Sequence, residues 1–300
     1  DLNHCPQASP MRRLLDAEQF TSVTANLLDA ANAIRSFDGT VMLLAAPSVV
    51  GALSLAPLEA AMLDAGIRYR RRFRIEAPES GSWIHILGPG QTEGPSFSSE
   101  PPQLSLSVII VEALRGTSGD VRRGPLTTVA QAHALAQAIC PNSPRLRRMR
   151  PWLISGNWMH SALDTTYDPV FTALRDIMVD EGSVRVVPLP EVIAPDIATT
   201  PWIEGIALEA VSSRWDSLDI EGRARSLSHL MRPVLSQSTP STSRMEELGW
   251  HRVIGIGWET DLASQILQST RLWKQMPASE AAHHMVDLLL TTGQVVSFQP

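Results

Sequence analysis

GTVMLLAAPSVVGALSLAPLEAAMLDAGIRYRRRFRI, residues 39–75, carries the pattern that decides the fold. The apolar run Val41–Ala46 predicts a buried strand, and Pro47–Gly51 is a turn directly after it. Ser48 to Leu63 predicts a helix that Asp64, Ala65 and Gly66 stop. Ile67–Ile75 then alternates as a second strand. Together these make a βαβ unit. In such units the loop at the carboxyl end of the first strand is where ligands and metals sit. Its sequence in this chain is Pro-Ser-Val-Val-Gly, with no Asp, Glu, His, Cys or Lys.

Outward from this unit, 300 residues allow one large domain or two modest ones. The apolar fraction of 44% is that of an ordinary globular protein, and the net charge of −6 provides no global basic field for nucleic acid. Lysine and arginine total 25, and Lys274 is the single lysine, leaving 24 arginines. Cys5 and Cys140 match no zinc spacing and no disulfide framework. No apolar run approaches ~20 residues, and no signal-peptide core is present at the N-terminus. A cytoplasmic protein without membrane contact is the expectation.

The remaining pattern alternates strands with helices. Met11–Ser36 has a helical apolar period. Trp83–Leu87 predicts a strand ending in Gly88-Pro89-Gly90, and Leu104–Val111 predicts the best buried strand of the chain. Thr127–Ile139 predicts a small-residue helix capped by Thr127 or Thr128. Pro141–Arg150 reads as a basic loop, Asp168–Asp180 as a helix with Pro169 in its first turn, and Ser183–Val187 as a strand. The expected fold is α/β, with a doubly wound, mainly parallel sheet. An N-terminal helical segment spans residues 1–37 and the α/β domain residues 38–190. After the prolines that follow Val187, a smaller C-terminal domain, α/β or mostly helical, spans 191–300. It is expected to contain helices over Ile203–Ser217, Gly222–Leu235 and Asp261–Trp273, and a strand over Arg252–Ile256.

Four strand-end loops over residues 38–180 resemble the DHH phosphoesterase superfamily, the group of the RecJ exonucleases. Gly51 and the helix Ala52–Leu63 agree with the family's first acidic turn and its helix, but Ser48 and Val50 occupy the acidic places. Gly88 stands where the second metal ligand is expected. The name-giving Asp-His-His position holds Glu112, Ala113 and Leu114, and the last acidic position falls in Gly156–His160. The resemblance therefore keeps the frame and vacates the ligands, except for Glu112 or His160. Two Mn²⁺ or Mg²⁺ ions about 3.5–4 Å apart need several carboxylates to offset their charge. The implied molecule is a non-catalytic, degenerate archaeal RecJ-like protein with no cofactor. It is expected to act as a scaffold in replication or repair, with GINS or the replicative helicase as partner and single-stranded DNA as a further ligand. The alternative is a metal-dependent phosphoesterase or single-strand exonuclease with a relocated site at Glu112, His160 and Asp164, using Mn or Mg.

Two basic clusters are candidate binding residues. Arg68, Arg70, Arg72 and Arg74 alternate along the second strand and so share one face. Such a row can track a phosphate backbone, receive an acidic protein, or simply protect a solvated edge strand. Arg145, Arg147, Arg148 and Arg150, followed by Trp152, suit stacking on a base or form a solvated loop. His283 and His284 are adjacent on a helix and point about 100° apart, so they cannot chelate one metal. His85 reads as a core or rim histidine. Residues 252–257, RVIGIG, lack the third glycine of a dinucleotide fingerprint.

Overall fold

The computed structural model describes residues 11–89, 96–115, 119–165, 167–235 and 237–295. Helix α1 (Thr24–Ser36) is followed by strand β1 (Val41–Ala45), helix α2 (Val49–Ala65) and strand β2 (Tyr69–Phe73). This is the βαβ unit expected from residues 39–75. The hydroxyl of Ser48 caps α2 by accepting from the Gly51 N–H at 3.1 Å, and Gly66 ends it at φ 68°. Strands β3 (Ser82–Ile86), β4 (Ser96–Ser99) and β5 (Pro102–Leu106) complete a five-stranded sheet in the order β2-β1-β3-β5-β4. All pairings are parallel except β4 with β5, so β2 and the antiparallel β4 are the edges.

Thirteen of the seventeen residues of α2 are buried, which explains a helix with no polar stripe. One side meets β1 and β2. The others meet α3 (Thr128–Ile139), α4 (Pro144–Met149) and α12 (Ala278–Thr292). Thr127 caps α3 by accepting from the Ala130 N–H, as its position predicts. Helices α2, α3 and α1 lie side by side, and the residues of β1, β3 and β5 that face them, such as Leu43, Ile84 and Leu104, belong to the main core. This differs from the doubly wound expectation: the helices that pack on the strands line one face. The chain crosses back from β2 to β3 through residues 74–81, a connection too short for a helix. The α/β class and the mainly parallel sheet stand.

Three further expectations are corrected. The run Leu104–Val111 is not one strand. The ladder breaks at Ser107, whose carbonyl accepts from the buried Gln131 Nε2 at 2.7 Å. Strand β6 (Ile109–Arg115) then pairs antiparallel with β7 (Val121–Leu126) in a separate two-stranded sheet. Residues 144–149, read as a loop, form α4, because Ser143 caps the turn and Leu146 and Met149 supply a buried face. Finally, the boundary expected at residue 190 does not separate the cores. After the short helices α5 (Ser155–Met159) and α6 (Ala162–Thr165) and the Asp168-capped helix α7 (Pro169–Asp180), strand β8 (Val184–Val187) pairs with β9 (Arg252–Gly255) across it. Val253, Ile254, Leu262, Ile266, Met285, Val286 and Leu289 join the main core. A smaller apolar cluster, including Leu208, Trp215, Leu227 and Met231, lies between α8 (Gly205–Ser212) and α9 (Ile220–Met231). Helices α10 (Thr242–Gly249) and α11 (Leu262–Gln275) flank β9. Among the described residues no helix is long and apolar enough to cross a membrane.

Candidate functional site

At the carboxyl edge of the sheet, β1 delivers Pro47, Ser48 and Val50 to the surface that in open α/β sheets receives ligands. Each is engaged in structure. Ser48 is committed to its cap. Val50 packs against the core, and a Cβ on Gly51 would fall 2.2 Å from the Ala46 carbonyl oxygen, so the turn closes only with glycine. The Pro47 carbonyl accepts from Trp273 Nε1 of α11 at 2.9 Å. Gly88 follows the neighbouring strand β3 at the same edge, beside the Leu87 N–H that donates to the Leu106 carbonyl at 2.8 Å. Gly90 lies outside the described residues.

The other two expected positions are set differently. Glu112 sits on the β6–β7 hairpin, outside the main sheet, where Arg123 of β7 donates to it at 3.2 Å. Ala113 is buried and its carbonyl accepts from Gln19, while a bulge separates Glu112 from the 40%-exposed Leu114. In the Gly156–His160 segment, Asn157 is buried and donates to the Pro125 carbonyl at 2.8 Å and to Asp168 at 3.0 Å. Burial raises the Asp168 carboxyl above its ordinary range, opposed by bonds from Asn157 and the first amides of α7. His160 Nδ1 accepts from the Ala162 N–H at 3.2 Å. Asp164 is paired with Arg244 at 2.8 Å.

These donors do not fit a pair of hard divalent cations. Val50, Ala113 and Leu114 provide no anionic oxygen, the Ser48 hydroxyl is spent on backbone, and Glu112 and Asp164 are each paired with a different arginine. Among the described residues no three His, Cys, Asp or Glu side chains are placed to hold a metal ion.

The arginine row is where the pattern in the sequence and the geometry meet. Arg68, Arg70, Arg72 and Arg74 are all exposed, alternating with the half-buried Tyr69, Arg71 and Phe73 along the edge strand β2. Arg68 pairs with the exposed Asp38 at 2.7 Å, and Arg72 reaches the Arg71 carbonyl at 3.2 Å. Among the described residues no carboxylate is ion-paired with Arg70, Arg72 or Arg74. The inward side of the strand is tied down. Arg71 lies 2.6 Å from Asp287 and 3.2 Å from Glu59, the latter contact misaligned for a hydrogen bond, while Tyr69 donates to Glu59 at 2.8 Å. Burial lifts the Glu59 carboxyl above its ordinary value, with Arg71 pulling the other way, and burial beside Glu59 raises the Tyr69 hydroxyl. The four outward guanidinium groups therefore stand on a braced strand.

In the second basic cluster Arg147 and Arg148 are exposed, Arg145 is half-buried, and Arg150 alone faces inward. Arg145 is paired with Asp64, whose carboxyl burial would raise but which hydrogen bonds from Ser143 and Arg145 hold below its ordinary value. Arg148 donates to the Leu290 carbonyl. Arg147 is likewise engaged within the fold. Arg150 is at 0% exposure and grips Glu181 through Nε at 2.7 Å and Nη2 at 2.9 Å. It offers nothing to a phosphate or a base, so its expected binding role is corrected to a structural one. Sequence reasoning missed this because the carboxylates Asp64 and Glu181 lie far away along the chain. It also missed Trp273 as the cover of the first turn, and a cavity beside Arg244 and Trp158, neither of which carries a local motif. No protein-family model matches the chain, and no curated protein matches it.

Proposed function

We propose that this chain is a non-catalytic RecJ-like factor of DNA replication or repair, built on a DHH-like frame and working as a protein-binding scaffold. GINS or the replicative helicase is the partner class, and single-stranded DNA is a second ligand. The observation that carries the proposal is the exposed row Arg68, Arg70, Arg72 and Arg74 on the edge strand β2. An edge strand offers unpaired backbone groups to an added strand, and a row of guanidinium groups selects an acidic one. Burial of a hydrogen-bonded acidic segment along this edge explains why Arg70 and Arg72 on the five-residue strand, and Arg68 and Arg74 at its two ends, are all exposed. The same row accepts successive phosphates of a single strand.

The resemblance of the strand-end turns supports a retired catalytic frame, since their side chains are used for capping, core packing and ion pairing. The test is capture of GINS proteins by the full chain, with the Arg68→Glu, Arg70→Glu, Arg72→Glu and Arg74→Glu quadruple variant beside it. Capture by the wild type and loss in the variant is the expected result. No capture by the folded wild type counts against the scaffold. Mn²⁺-dependent exonuclease activity that disappears in Glu112→Ala overturns the non-catalytic assignment.

A further inference from the structure

A cavity of about 370 Å³ opens between α5, α10 and α11, remote in sequence from the arginine row. Its walls are mostly apolar, with Met159, Leu248, Ile266 and Leu267, and Arg244 and Trp158 form one side. Arg244 is only 11% exposed and its guanidinium is fixed in three ways. Nε donates to Asp164 at 2.8 Å, Nη1 donates to the Trp158 carbonyl at 2.7 Å, and Cζ lies 4.6 Å from the centre of the Trp158 ring. Nη2 donates to no described residue.

That arrangement is a preorganised donor at an apolar wall. A pinned guanidinium loses little rotamer freedom when a ligand arrives. Asp164 is 54% exposed, so water screens its pairing and leaves much of the positive field to the cavity. Among the described residues Arg244 is the only cation lining the cavity, which suits one carboxylate better than a doubly charged phosphate. The volume is at the small end of ligand sites, and apart from Thr199 and Thr270 the remaining lining side chains are apolar.

We propose that this cavity binds a small monocarboxylate with a compact aliphatic body, the carboxylate on Arg244 Nη2 and the body against Ile266, Leu267 and Leu248. The site is independent of partner binding at β2 and does not require it.

The test uses the full chain and three probes of one length: hexanoate, 1-hexanol and hexylammonium, followed by calorimetry and ligand-observed NMR. Hexanoate is expected to bind about tenfold more tightly than 1-hexanol, as a hydrogen bond to a charged group implies, with hexylammonium weakest. Arg244→Gln is expected to bring hexanoate and hexanol to the same affinity. Thr270→Trp, which fills the cavity from α11 and leaves Arg244 in place, is expected to abolish both. Should Arg244→Gln fail to fold, the alcohol comparison and Thr270→Trp still decide. Equal binding of hexanoate and hexanol by the wild type overturns the role of Arg244. Unchanged hexanoate binding in folded Thr270→Trp overturns the location, and no hexanoate binding by the folded wild type overturns the site.

Discussion

Trp273 of α11 donates its indole N–H to the carbonyl oxygen of Pro47 at 2.9 Å, across 226 positions of sequence. The turn at the end of the first strand is thus held by a helix from the far part of the chain. Trp273→Phe keeps a ring in place and removes the donor. It is expected to lower stability by about 1 kcal/mol. Trp273→Ala also removes packing and is expected to cost about 3 kcal/mol or more. Urea unfolding followed by circular dichroism separates the two, and equal costs would show that the hydrogen bond contributes nothing.

Arg150 and Glu181 form a buried ion pair with side-chain exposures of 0% and 1%. Glu181 also accepts from the Arg12 N–H at 2.8 Å and from Ser183 Oγ at 2.7 Å. Arg150→Met strands a carboxylate in the interior and is expected to cost about 3–5 kcal/mol. Adding Glu181→Leu is expected to recover a large part of that loss. The double-mutant cycle is the measurement, and additive single effects would refute coupling.

His133 lies wholly inside, on α3, and among the described residues neither ring nitrogen has a hydrogen-bond partner. Burial, reinforced by the charge of Arg150, depresses it to about 3, so it is neutral in the folded protein. The unfolded chain takes up a proton near pH 6.5 while the folded one does not. This contribution to stability is therefore intact above about pH 6.5 and is lost as pH falls toward 3, by up to about 1.4 kcal/mol per pH unit. His133→Leu removes the unsatisfied nitrogens and flattens that dependence. It is expected to stabilise the protein by about 1 kcal/mol at neutral pH and by more at pH 5. Denaturant midpoints at the two pH values test it, and a variant with the wild-type pH slope would exclude His133 as the source.

Replacing Arg68, Arg70, Arg72 and Arg74 together by alanine is expected to leave the thermal midpoint nearly unchanged, because their side chains are exposed and their one ion pair among the described residues, to Asp38, is solvated. Binding of single-stranded DNA is expected to weaken, with the slope of log affinity against log salt shallower by roughly 3, or about 0.7 for each phosphate lost. An unchanged slope would mean that the edge does not meet phosphate.

Much of the sheet could be read from the sequence because its causes are local. Ser48 and Gly66 bound α2, Thr127 caps α3, and Pro169 opens α7 behind the Asp168 cap. The alternation of Arg68 to Arg74 placed four side chains on one exposed face. What escaped depends on distant partners. Ser107 ends β5 because Gln131 takes its carbonyl, and a run of aliphatics gives no sign of that. Arg145 and Arg150 look like a binding patch until Asp64 and Glu181 arrive. Arg244 becomes a cavity wall only when α10 is set beside Trp158.

The packing of α12 against α2 sets an order of events during synthesis. Helix α2 has no polar side to show to water, yet one of its covering helices begins at Ala278. A nascent chain on the ribosome therefore carries α2 with one side uncovered until more than two hundred further residues have emerged, although α3 and α4 can cover its other sides earlier. Such late closure predicts slow folding and a need for chaperone protection of residues 49–65 while translation proceeds.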